Sequence, residues 1–101
     1  MAIITMAQQN GSNVSVKYGN YSTQLSGTLI GFTQNAIFIQ NNRSISIHIM
    51  RNNQLVSSGR NIQLSGSDEA KMYGNKLGIK RGAMILLYDE TGKPAGQTSA
   101  R

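Results

Sequence analysis

The chain has no cysteine and no tryptophan, and a single proline among its 101 residues. Without cysteine there are no disulfides, no thiolate nucleophile and no cysteine-ligated zinc. Acid is also missing from a long stretch. Residues 1–62 carry Lys17, Arg43, Arg51 and Arg60 but no Asp or Glu, so the net charge of +6 is unevenly spread. No segment approaches the ~20 consecutive apolar residues that a helical membrane span needs. Met1 to Met6 lacks the basic start and apolar core of a secretory signal. These absences set the expectation of a cytoplasmic protein with no membrane association and no cofactor. The length fits one domain spanning residues 1–101.

What is present is turn chemistry and short apolar alternation. Eleven glycines and many Asn, Ser, Gln and Thr residues punctuate the chain. Val14, Val16 and Tyr18 alternate with polar residues, as do Ile45, Ile47 and Ile49, which is the period of a half-buried strand. Gly19-Asn20, Asn52-Asn53 and Asp89-Glu90-Thr91-Gly92 read as turns. Ala83 to Tyr88 is apolar on both faces and is expected to be the most buried strand. Ser58-Gly59 is expected to turn the chain between two short strands.

The tetrapeptide Gln24-Leu25-Ser26-Gly27 recurs as Gln63-Leu64-Ser65-Gly66. Beyond it the match continues at an offset of forty: Asn35, Ile37 and Ile39 with Asn75, Leu77 and Ile79, then Ile45, Ile47 and His48 with Ile85, Leu87 and Tyr88. A period near forty residues marks repeats of one supersecondary unit, which must pair to bury their apolar faces. The sequence therefore predicts an all-β small sandwich or barrel from two related units, about 24–58 and 63–97. The units differ after the tetrapeptide. Ser67, Asp68, Glu69 and Gly74 carry helix-capping signals, and one short helix is expected near 67–73.

Catalytic chemistry finds little support. His48 is the single histidine, and nothing places a serine and an orienting acid beside it. The acids come as neighbours, Asp68-Glu69 and Asp89-Glu90, and adjacent residues on a strand point to opposite faces. No metal-ligand spacing and no phosphate loop occurs. The expectation is a protein that is not an enzyme. Basic charge favours polyanions through phosphate neutralisation. Arg43, Arg51, Lys76, Lys80 and Arg81 are the candidate nucleic-acid contacts, with Lys80-Arg81 and Arg43 read as matching basic loop tips. Among the aromatics, Tyr18 and Tyr21 flank a turn and are the candidates for a surface role in stacking bases. Open strand edges at Ala2 to Ala7 and Ala95 to Ser99 suggest pairing into a homodimer or with a protein partner.

Two resemblances accompany this reading. Ile85 to Pro94 resembles a strand and turn of the mannose-binding bulb-lectin β-prism family, which implies glycan binding. The positions of that family's sugar motif read Lys80, Gly82, Met84, Leu86 and Tyr88 here, and Gln40, Asn42, Ser44, Ser46 and His48 in the first unit. Leu25 to Phe32 resembles the first motif of Sm-like RNA-binding barrels, without the aspartate usual after the aromatic.

Overall fold

A computed structural model describes residues 3–66 and 68–99. It contains eleven strands: β1 (Ile4–Asn10), β2 (Asn13–Tyr18), β3 (Tyr21–Ser26), β4 (Thr28–Phe32), β5 (Ala36–Asn41), β6 (Ser44–Arg51), β7 (Gln54–Gln63), β8 (Glu69–Tyr73), β9 (Lys76–Arg81), β10 (Met84–Tyr88) and β11 (Pro94–Ser99). They form three antiparallel sheets, in the orders β1-β2-β3, β4-β5-β6-β7 and β11-β10-β9-β8.

Every strand pairs within a sheet with its neighbour in sequence, because most connections are two-residue hairpins. Such hairpins need left-handed backbone to match strand twist. Gly19 and Gly82 supply it at the first turn position, Asn42 does the same, and Asn52 and Asn53 are both left-handed. Asparagine tolerates that conformation better than other non-glycine residues.

The middle sheet, β4 to β7, is covered on both faces. Alternation along β5 shows how. Ala36 and Phe38 point to a core shared with Ile45, Ile47, Ile62, Leu64 and the third sheet's Leu77 and Ile79. Ile37 and Ile39 point the other way, to a second core with Ile4, Val14 and Val16 of the first sheet. The first four residues of β5 are therefore all buried. This corrects the expectation for Ala83 to Tyr88: in β10 only Ile85 is buried, and it lies on the outer face beside Gly78 and Tyr73, while Leu86 and Tyr88 on the core face are partly buried.

Three further expectations are revised. A two-unit sandwich leaves no place for residues 4–26, which build a sheet of their own. The helix expected near 67–73 is absent among the described residues, and Ser67 lies outside them. Glu69–Tyr73 is a strand in register with β9, from Glu69↔Lys80 to Tyr73↔Lys76. Local capping signals lose here to a period of two, since Ala70 and Met72 pack on the core while Glu69, Lys71 and Tyr73 take the other face. One or two turns of helix are marginal without packing. Finally, Ser58-Gly59 does not separate two strands. Gly59 has φ 79°, and β7 runs through it with a register shift opposite Ser46 and His48.

Gln9 joins the first and middle sheets. Its amide nitrogen donates to the carbonyls of Gly11, Asn13 and Gly27, and its amide oxygen accepts from the Leu29 N–H at 2.7 Å. The Ile4 N–H donates to the Gln34 carbonyl at 2.8 Å. Between middle and third sheets, Gly31 lets Met72 lie directly against the β4 backbone, where a Cβ would collide with its Cγ.

Candidate functional site

The five basic candidates fall in three different settings. Arg81 does not sit at a loop tip: the turn is Gly82-Ala83, and Arg81 ends β9. Its guanidinium grips Asp68, with Nη2 at 2.7 Å from Oδ2 and Nε at 3.2 and 3.1 Å from Oδ1 and Oδ2. The Asp68 side chain is 5% exposed, and its Oδ2 also accepts the Ser65 N–H at 3.0 Å. The hydrogen bonds from Arg81 and Ser65 hold the Asp68 carboxyl down at about 2, and the charges of Arg81 and Arg43 lower it further. Arg43 stands in the β5–β6 turn and donates from Nη2 to the Gly66 carbonyl at 2.7 Å, while its own carbonyl accepts the Leu64 N–H. Arg43 and Arg81 thus tie down the link between middle and third sheets.

Lys76 and Lys80 lie on the outer face of the third sheet with Lys71. Opposite charge is interleaved there. Glu69 is the direct cross-strand partner of Lys80, and an open cleft of about 360 Å³ beside Lys76 is lined by Asp89, Glu90, Thr91 and Asn75. Asp89 shapes its own turn, accepting from the Thr91 hydroxyl and from the Thr91 and Lys93 N–H groups, and those bonds lower its pKa. Tyr73 lies flat over Gly78 on this face, where any Cβ would meet its ring.

Arg51 is exposed at the end of β6, next to a different feature. At the end of the layer between the first and middle sheets, two hairpins part. One carries Tyr18 and Tyr21, the other Asn52, Asn53, Gln54 and Leu55. They line a shallow cleft of about 390 Å³. The turn at Gly19-Asn20 makes the two tyrosines direct cross-strand partners, with ring centroids 6.0 Å apart and planes tilted by 32°. Tyr18 packs on the core below, and Tyr21 is 66% exposed. Leu55 pairs with Met50 and forms the apolar floor. No acid stands in either hairpin.

The two tyrosines were legible from sequence as flanking a turn. Their opposition to Asn52-Asn53-Gln54 was not, because those residues lie more than thirty positions away. Of the other aromatics, Phe38 is fully buried, Tyr88 packs against the same core, and Phe32 is partly exposed.

His48 stands on the middle sheet in one row with Ile37 and Ser57. Its Nδ1 is buried without a hydrogen-bond partner, and burial lowers its pKa. Among the described residues no three His, Cys, Asp or Glu side chains gather where they could hold a metal ion, and no helix is long and apolar enough to cross a membrane. Comparisons with protein-family models, curated proteins and solved structures give no match to this chain.

Proposed function

We propose that the protein is a non-enzymatic binding module that takes single-stranded nucleic acid on the face carrying the Tyr18–Tyr21 cleft. The observation that carries this reading is the 66% exposed Tyr21 ring, beside a second tyrosine, in the acid-free part of the chain. Binding without sequence preference combines an aromatic platform for bases with cations for the backbone. Here Tyr21 is the platform, the Asn52 and Gln54 amides offer donors and acceptors to base edges, and Lys17 and Arg51 adjoin the two hairpins. Arg43 and Arg81 are occupied by structural partners, and Lys76 and Lys80 share their face with acids, so Arg51 alone of the five basic candidates belongs to this site.

Fluorescence anisotropy with a labelled single-stranded oligonucleotide tests it. Affinity is expected to fall steeply as salt rises. Tyr21→Ala is expected to weaken binding by about fivefold or more, and Arg51→Ala to reduce the salt slope by about one. Absence of binding at low salt, or binding indifferent to Tyr21, refutes the reading. A second reading, a neutral glycan, draws on the uncharged amide and tyrosine lining of the same cleft. It predicts glycan-array signal that survives high salt.

We infer further that the middle and third sheets are sibling four-stranded units. Support comes from their shared meander order and from the Asn42-Arg43 and Gly82-Ala83 turns, which fall forty positions apart. Each copy of the tetrapeptide leads into one such meander. A chain in which residues 68–99 are replaced by a second copy of 28–66 should still melt cooperatively, and non-cooperative melting would count against common descent.

A further inference from the structure

Open sheet edges invite pairing, and proteins blunt them with charge, proline, bulges or covering groups. Among the described residues, five of the six edges here carry charge, a proline or a bulge. The β1 register shifts between Ile4 and Met6, and the Ile4 N–H is taken by Gln34. The β4 edge is bulged between Leu29 and Gly31 and capped by Gln9. Gly59 and Arg60 interrupt β7, Glu69 and Lys71 charge β8, and β11 begins with Pro94 and shifts register beside it. The remaining edge is β3, with the sequence Tyr21-Ser22-Thr23-Gln24-Leu25-Ser26. It has no charge, proline or glycine, and pairs with β2 from end to end without a shift.

The hydrogen-bonding direction of β3 follows from its turn. A two-residue hairpin makes Tyr18 and Tyr21 a hydrogen-bonded pair, and bonded pairs alternate along an antiparallel ladder. Tyr21, Thr23 and Leu25 therefore bond to β2, while the backbone groups of Ser22, Gln24 and Ser26 point outward. Among the described residues the outward contact found on these groups is Asn41 Nδ2 on the Ser26 carbonyl, 3.1 Å away. The outward pattern is also nearly palindromic about Gln24.

We propose that β3 is an interface for a second copy of this chain, joined antiparallel about a two-fold axis at Gln24. Ser22 then lies opposite Ser26 of the second copy, and Gln24 opposite its own equivalent, as hydrogen-bonded pairs. Thr23 meets Leu25 of the second copy on the core-facing side. The product is one continuous sheet, β1-β2-β3 followed by its symmetry mate. Because the distal β1 edges are blunted, pairing stops at a dimer. No charge on either strand opposes it.

Sedimentation velocity on the full chain, from low micromolar to near-millimolar concentration, tests the proposal. A discrete dimer is expected. Gln24→Pro removes an outward N–H from each copy while leaving the β2 ladder whole, and is expected to weaken association at least about tenfold. Gln24→Lys keeps every backbone group and sets two like charges opposite each other, with a loss in the same direction. Thr98→Lys on β11 is expected to change nothing. Circular dichroism checks the fold of each variant, and Gln24→Lys decides the matter if the proline variant unfolds. A monomer throughout the range, a dimer unaffected by Gln24→Lys, or one abolished by Thr98→Lys overturns it.

Discussion

The two outer sheets cover the same middle sheet but are held to it differently. The first sheet rests on an aliphatic layer, Ile4, Val14 and Val16 against Ile37 and Ile39, with the neutral Gln9 amide at its margin. The third sheet rests on a larger core centred on Phe38 and is tied by the Asp68–Arg81 pair and Arg43. All four acids of the chain lie in or around the third sheet. Arg81 and Arg43 are thus held by internal contacts on one side, while the other side has an aromatic cleft whose hairpins carry no acid. What distinguishes the sides is where the acids lie.

The two layers meet in β5, where single substitutions have the largest expected effect. Phe38→Ala removes the fully buried ring on the third-sheet side and is expected to cost about 3–5 kcal/mol. That is a large part of the ~5–15 kcal/mol typical of a domain this size. Ile37→Ala strikes the opposite layer from the adjacent residue and is expected to cost about 2–5 kcal/mol. Denaturant melts give both values, and hydrogen exchange should show β8–β10 loosened most by the first and β2 by the second.

A smaller effect sharpens the contact of β4 with β8. Gly31→Ala drives a methyl into Met72 and should cost about 1–3 kcal/mol through overpacking. Adding Met72→Ala should recover part of the loss, which a double-mutant cycle reads as coupling. If the two changes simply add, the close approach is not the cause.

Asp68→Asn tests the charged tie. The native carboxyl is held at about 2, below its usual 3.8, so its stabilisation is complete above about pH 4 and disappears as pH falls toward 2. The variant should melt lower at neutral pH and lose that acid dependence. Thermal melts across pH 2–5 would show identical slopes for both proteins if the pair contributes nothing.

The smallest effect is expected at His48. Burial disfavours its charged form, so the unfolded chain takes the proton first as pH falls through about 6.5. Stability should therefore decline between about pH 7 and 5, and His48→Gln should flatten that decline. An unchanged slope in the variant would assign the decline to other groups.

Alternation and turn residues determined the all-β class and most hairpins, because both act over two to four residues. Val14, Val16, Ile45 and Ile47 declare which face is buried, and Asn52-Asn53 declares its turn. The sequence could not say that β5 is covered twice, since an apolar run looks the same in any buried strand. It also misled at Asp68, whose carboxyl reads locally as a helix-start acid. Tertiary structure gave that group to Arg81, thirteen positions away, and turned Glu69–Tyr73 into a strand. The Tyr18–Tyr21 cleft and the uncharged, unbulged β3 edge have the same origin. Each depends on which segments lie beside one another in space, and such neighbours are fixed by burying apolar surface across the whole chain.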